Sequence, residues 1–202
     1  MALTQHSESE RESIESIGRD AFRRFNHLML FMWRLGMGPS INIWPDGFGQ
    51  IMVLEHTGRK SGKKHRTPVN YVLIDGDIYC TAGFGAVADW YKNIRQNPQV
   101  EVWLPDSWWG GIAEEDIDPQ RRLPIMRKVL RASGFAARTM GVDSNTISDE
   151  ELDKVTRDYR LIRIRRTVAR TGPGGPGDLA WVWQVATYVL LFMLLLRKKN
   201  RK

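Results

Sequence analysis

Thr67-Pro68-Val69-Asn70-Tyr71-Val72-Leu73-Ile74-Asp75-Gly76-Asp77-Ile78-Tyr79-Cys80-Thr81 is the stretch on which the fold turns. Two runs rich in β-branched and aromatic residues, Thr67–Ile74 and Asp77–Thr81, flank Asp75-Gly76. That pair suits a tight hairpin, whose central residues need positive φ. The sheet therefore starts antiparallel. Ile51–His56 is a similar run upstream, and Gln99–Leu104, a strand around Trp109–Ile117 and the alternating Tyr159–Arg165 follow downstream. Three helices are expected between them. Ala88–Gln96 is closed by Asn97-Pro98, Pro124–Ser133 by Gly134, and Asp149–Arg157 is opened by Ser148 with Glu151 three residues on.

Outside this block lie two apolar segments. From Ser9 to Leu35, Ile14, Ile17, Ala21, Phe25, Leu28, Met32 and Leu35 recur at helical spacing, and Gly36, Gly38 and Pro39 end the helix. Packing on the domain is the plain reading of that stripe; contact with a bilayer or partner is the alternative, because Phe22, Met29, Phe31 and Trp33 widen it. At the other end, Leu179–Leu196 is interrupted only by Gln184 and Thr187, has Trp181, Trp183 and Tyr188 near its start, and is followed by Arg197-Lys198-Lys199-Asn200-Arg201-Lys202. Its 18 residues meet the lower limit for a membrane helix, given a hydrocarbon core of roughly 30 Å and a rise of about 1.5 Å per residue. A buried helix of a soluble oligomer is the plain alternative, and a helix lying partly in the interface is a third reading. Thr171-Gly172-Pro173-Gly174-Gly175-Pro176-Gly177 reads as the linker before it. The divisions expected are a helix in 1–40, a domain in 41–170, a linker in 171–178, a membrane anchor in 179–196 and a basic tail in 197–202.

The formal charge of +7 favours anionic partners. One cysteine, Cys80, rules out an internal disulfide or a multi-cysteine metal site, and the polar first twenty residues do not read as a signal peptide. The charge is concentrated in His56-Thr57-Gly58-Arg59-Lys60-Ser61-Gly62-Lys63-Lys64-His65-Arg66, where two glycines let backbone N–H groups face an anion. A solvated hairpin tip is the plain alternative. It is not a Walker A loop, since three residues rather than four separate Gly58 and Gly62 and Lys63 precedes Lys64. Gly83-Phe84-Gly85-Ala86-Val87-Ala88 fits a dinucleotide fingerprint, but the short helix after it and the hairpin before it argue against parallel pairing. No nucleophile elbow or zinc motif is present, the four histidines have no ligand spacing, and no nucleic-acid-binding signature accompanies Trp103, Trp108 and Trp109. No metal and no nucleic acid are expected.

Thr57-Gly58-Arg59-Lys60-Ser61-Gly62, Arg66, Tyr71, Asp75-Gly76-Asp77, Ala82-Gly83-Phe84-Gly85, Trp90-Tyr91-Lys92-Asn93, Asn97-Pro98 and Val100-Glu101-Val102 together resemble the deazaflavin-dependent nitroreductase family of actinobacteria. The resemblance implies an α+β split β-barrel, as in FMN-binding proteins, and an oxidoreductase that moves a hydride from reduced coenzyme F420 to a quinone, nitro compound or similar acceptor. By the same resemblance Arg59, Lys60, Ser61 and Arg66 would hold the cofactor's anionic tail and phosphate. Pro68, Val69, Ala82, Gly83 and Phe84 would line its ring, and Trp90 and Asn93 would close the site. Tyr71 and Tyr91 are the candidates for touching the acceptor.

With the two apolar segments, the expectation is an enzyme at the cell membrane, its catalytic domain facing the cytoplasm, with membrane lipid and a lipophilic quinone as partners and a homodimer compatible with the fold. The alternatives are an FMN-binding oxidoreductase of the same barrel and a non-enzymatic membrane-bound lipid or haem carrier.

Overall fold

A computed structural model of the chain describes residues 24–43, 49–134 and 146–199. Six strands close into a barrel: β1 (Ile51–Thr57), β2 (Lys64–Ile74), β3 (Asp77–Ala82), β4 (Gln99–Leu104), β5 (Ser107–Glu115) and β6 (Arg160–Ala169), ordered β1-β2-β3-β6-β5-β4. Every neighbouring pair is antiparallel. The Asp75-Gly76 hairpin forms as the sequence predicts, with φ of 52° and 87°. β2 pairs with β1 through Lys64–Asn70 and with β3 through Tyr71–Ile74, so Pro68 lies in the half flanked by β1 alone. A residue without an N–H is tolerated in a strand under that condition. Antiparallel closure also removes the dinucleotide reading of Gly83–Ala88, since β3 has no parallel neighbour.

Both faces of the barrel wall are covered. Met52, Leu54, Tyr71, Ile78, Cys80, Val102, Ile162 and Ile164 fill the interior. The alternate β1 residues Ile51 and Val53 join Trp103 on the outside, under Met29 and Trp33 of α1 (residues 24–34) and Ile41 of α2 (Gly38–Ile41). The stretch before residue 24, where the first half of the expected N-terminal helix falls, lies outside the described residues. A second outer face, with Tyr79 and Leu161, is covered by Ile125, Met126, Val129 and Leu130 of one helix and Leu152 of another. β1 is therefore buried on both sides, which is why its first four residues, Ile51–Leu54, are all apolar rather than alternating.

Helix starts differ from expectation where two proline signals compete. The helix expected from Pro124 begins at Pro119, because Asp118 caps it by accepting from the Gln120 N–H at 3.0 Å, and Pro124 lies inside it. In order, α3 is Asp89–Gln96, α4 is Pro119–Ala132, α5 is Asp149–Thr156 and α6 is Trp181–Lys199. α5 has the expected Ser148 cap, accepting from the Glu151 N–H.

The Gly/Pro segment after β6 is held against the barrel. The Arg170 N–H donates to the Trp108 carbonyl, the Gly174 carbonyl accepts from Arg66, and Gly175 lies on the Trp108 ring, so that a Cβ there would come within 2.6 Å of it. The expected membrane-spanning helix requires a correction. Among the described residues no helix is long and apolar enough to cross a membrane. Leu179 and Ala180 are spent in the turn before α6, and the uncharged part from Trp181 to Leu196 rises only about 24 Å, short of a core of roughly 30 Å.

One buried carboxylate fastens this arrangement. Glu55, 3% exposed on β1, receives Arg66 Nε at 2.7 Å and Lys64 Nζ at 2.5 Å, while Arg66 stacks 4.4 Å from the centre of the Trp103 ring and reaches the Gly174 carbonyl. Burial raises the Glu55 pKa, but the hydrogen bonds and charges of Lys64 and Arg66 outweigh it, leaving the carboxyl below its ordinary 4.5. Its contribution to stability is present above that value and lost as pH falls through the lowered one. Glu55→Gln should cost about 1–3 kcal/mol in urea unfolding at pH 7. The deficit should shrink as the wild type is titrated to acid; equal stability at pH 7 would refute the clamp.

Candidate functional site

β1 and β2 are joined by a six-residue turn, Gly58–Lys63, because β2 begins at Lys64 and takes Lys64, His65 and Arg66 into the sheet. The turn closes on itself through Gly58 N–H to the Lys63 carbonyl and Gly62 N–H to the Gly58 carbonyl, both 2.8 Å. Gly62 has φ of 64°, and a Cβ on Gly58 would meet His65 and the Ser61 hydroxyl at 2.7 Å. Both glycines are required by the turn itself.

The five cations divide by task. Lys64 and Arg66 belong to the Glu55 clamp, and Lys64 also reaches Glu101. Arg59 pairs with Asp89 at 2.9 Å and donates to the Asn93 Oδ1 at 2.9 Å, pinning the turn to α3. Lys60 and Lys63 are exposed and form no ion pair among the described residues. The Ser61 hydroxyl is engaged within the turn, accepting from the Lys63 N–H and lying 3.4 Å from His65 Nε2. Of the residues expected to meet an anion, Lys60 is thus free to do so, Arg59 and Ser61 shape the turn, and Arg66 is committed elsewhere. Lys63 is a second cation with no ion pair among the described residues.

Asn93 is buried, and its amide is the hub of the support. Its Oδ1 accepts from the Arg59 backbone N–H at 3.1 Å and from the Arg59 side chain, and its Nδ2 lies 3.2 Å from His56 Nδ1. His56 in turn lies 3.2 Å from the Thr67 hydroxyl and stacks on His65, with ring centres 5.9 Å apart. Asn93 therefore holds the turn to α3 and to His56. Burial, with a smaller contribution from the nearby His65, lowers the His56 pKa to about 4, so the imidazole is neutral at pH 7.

The second component is the segment from Ala82 to Ala88, which leads from β3 into α3. Ala82 is buried in the barrel, and Gly85 has φ of 60° with the Asp158 carbonyl only 2.5 Å from where a Cβ would be, so no other residue fits there. This pinned glycine leaves Phe84 and Val87 outward, 64% and 72% exposed. The turn and the segment meet at the start of α3: Arg59 contacts Asp89, the residue with which that helix begins. Pro68 is buried in the wall, and Val69 and Trp90 pack against the interior cluster.

Both candidate tyrosines are buried in the structure. Tyr71 belongs to the interior cluster, where burial pushes its pKa up to about 12. Tyr91 donates its hydroxyl to Glu115 at 2.7 Å and accepts from Arg95 at 3.1 Å, joining α3 to β5. A hollow of about 370 Å³ lies elsewhere, between α1, the β4–β5 hairpin and the Gly/Pro segment, lined by Trp33, Pro39, Trp108 and Pro176 among others and by no residue of the turn or of Ala82–Ala88. The outward-facing chemistry is thus a pair of free cations on a rigid turn, with an exposed apolar segment at the other side of the same helix start. Val87 and Lys63 were legible only as part of their motifs; Glu55, which decides which cations are free, carries no sequence signal.

Residues 37–148 match the family model described as F420H(2)-dependent quinone reductase. Among solved structures, the chain is similar to a protein described as an F420 reductase, at 16% identity over 64% of this chain and 94% of that one, with a TM-score of 0.41. A conserved hypothetical protein of Mycobacterium tuberculosis is 23% identical over 60% of this chain and 74% of that one, with a TM-score of 0.44. A haem storage protein of Vibrio cholerae is 12% identical over 69% and 96%, with a TM-score of 0.45. No curated protein matches the chain.

The depressed His56 pKa has a measurable consequence. The unfolded state takes up a proton near the ordinary 6.5 and the folded state only near 4, so stability is lost as pH falls between them, by up to about 3 kcal/mol. Urea melts across that range should show the loss, and His56→Gln should flatten it. An imidazole NMR titration with a midpoint at 6 or above for His56 would contradict the buried network.

Proposed function

The chain belongs to the F420H(2)-dependent quinone reductase family and uses coenzyme F420, and we propose that it carries a hydride from the reduced cofactor to a quinone, nitro compound or similarly activated acceptor at the cell membrane, with its barrel on the cytoplasmic side. The family match replaces the FMN and carrier alternatives. The observation that supports the site is the sorting of the basic run: three cations are spent on protein carboxylates, and Lys60 and Lys63 are left for an outside anion.

That arrangement fits F420, which joins a flat ring to a phosphodiester and an oligoglutamate tail. Lys60, Lys63 and the outer backbone of the Gly58–Lys63 turn would hold the tail, while Gly83, Phe84 and Val87 would lie against the ring. The cofactor supplies hydride chemistry when bound. What the chain contributes is orientation and charge. The Arg59–Asn93–His56 brace keeps the turn fixed relative to α3, and the Gly85 contact with Asp158 does the same for the apolar segment. With Tyr91 engaged by Glu115, no tyrosine is assigned a proton-transfer role.

Membrane placement is supported by the exposed apolar surface of α1 and α6. A lipophilic acceptor is concentrated at a bilayer, so an enzyme held there meets it at high local concentration without further contacts.

Purified full-length protein should oxidise reduced F420 with menadione as acceptor; no turnover with menadione or with a nitroaromatic would overturn the reading. Lys60→Ala/Lys63→Ala should weaken F420 binding about tenfold or more at low ionic strength, with the gap closing in high salt. Arg66→Ala should leave F420 affinity within about twofold while lowering stability. The opposite ranking would return Arg66 to the site.

A further inference from the structure

The two apolar ends of the chain are joined. At the end of α1 the C-terminal segment donates to three successive carbonyls: Gly177 N–H to Trp33 at 3.0 Å, a carbonyl it shares with the Gly36 N–H, Leu179 N–H to Arg34 at 2.8 Å, and the Trp183 indole to Leu35 at 2.9 Å. Arg34 closes the junction with a two-pronged bond to Asp178, Nε to Oδ1 at 3.0 Å and Nη2 to Oδ2 at 2.9 Å. A planar fork on a carboxylate fixes direction as well as distance. The base of α6 is therefore set relative to α1.

What these helices present outward is apolar. On α1, Phe25, Leu28 and Phe31 are exposed at three-residue spacing, with Phe31 opposite Met29 and Trp33 and Phe25 at the edge of their face. On α6, Tyr188 to Leu196 are all exposed, between 47% and 72%. Nine consecutive helical residues point in every direction around the axis, so the apolar surface has no polar side. A single packed neighbour, such as one second copy of this chain, covers one side of a helix, and protein covers the whole only where several neighbours surround it. A surrounding hydrocarbon medium covers all of it. Trp181, Trp183 and Tyr188 stand at the base, where an interfacial belt would be, and Arg197 begins the basic tail that continues in the sequence to Lys202.

We propose that α1 and α6, locked by the Arg34–Asp178 fork, form one pre-assembled docking surface for an anionic phospholipid bilayer, with α6 lying in the apolar layer just beneath the headgroups so that its aromatic base and its basic C-terminal end both reach the interface. This rests on the membrane location proposed above and goes beyond it: the barrel is held at a set orientation to the lipid rather than tethered on a loose linker. The fork is the element that converts two weak contacts into a single binding event.

The test is flotation of the full-length protein with phosphatidylcholine vesicles, with and without phosphatidylglycerol, alongside F420 affinity as a check on folding. The wild type should float, more strongly with the anionic lipid. Asp178→Asn and, independently, Trp183→Phe should each lower the partition by about tenfold, with F420 affinity unchanged, because the two helices then bind separately. The reversed pair Arg34→Asp/Asp178→Arg should recover part of the loss. Wild-type flotation that neither variant weakens would overturn the pre-assembled surface and leave the membrane location standing. No flotation of the wild type would overturn both, and self-association that disappears on truncation before Trp181 would assign α6 to a second copy instead.

Discussion

Glu55 is the constraint from which the rest of the molecule's chemistry follows. A carboxylate buried in a barrel wall needs cations, and this one draws Lys64 and Arg66 out of the basic run and into the sheet. Three consequences share that cause. The strand register extends to Lys64, the turn shortens to six residues, and the Gly/Pro segment is fastened across Trp103 through Arg66. Without the buried acid Arg66 would lose its carboxylate partner and Lys64 would keep only Glu101.

The first turn of α3 brings the site together. Helix positions 89 and 93 lie on one face, so Asp89 and Asn93 grip Arg59 jointly, and the Asn93 amide reaches on to His56. Because α3 also follows directly from the Gly85-pinned segment, one short helix fixes the separation between the free lysines and the exposed apolar residues. In the proposed site, a ligand with an anionic tail and a flat ring would meet that separation already fixed. The cost of ordering the site is met in folding rather than in binding.

Much of this architecture was legible in residue order. The Asp75-Gly76 hairpin, the strand starting at Gln99, the Ser148 cap and the family motifs of the basic turn are local signals, and each has a local cause in turn conformation or capping. Where signals competed, the sequence misled. Pro124 read as the first residue of a helix because proline suits that place, yet Asp118-Pro119 offered the same start with a side-chain cap and prevailed. The C-terminal apolar run read as a membrane span by counting residues, but its first two are taken up by the junction with α1. Arg66 and Asn93 read as cofactor-binding residues by motif, and the structure shows Arg66 holding Glu55 and Asn93 reaching His56, since a motif records which residues stand together and not which way each is engaged.

By itself the sequence determined the antiparallel start of the barrel, the position of a cation-rich turn before it, the apolar character of both ends and the kinship to F420-dependent reductases. These are properties of neighbours along the chain: periodicity, turn chemistry and charge spacing. Only the tertiary structure decided which cations remain free, that the tyrosines are internal, and that α1 and α6 meet. Those depend on pairings between residues far apart in sequence, Glu55 with Arg66, Arg59 with Asn93 and Arg34 with Asp178, and the low polarity of the interior obliges a buried charge or amide to find a partner wherever the barrel's closure brings one.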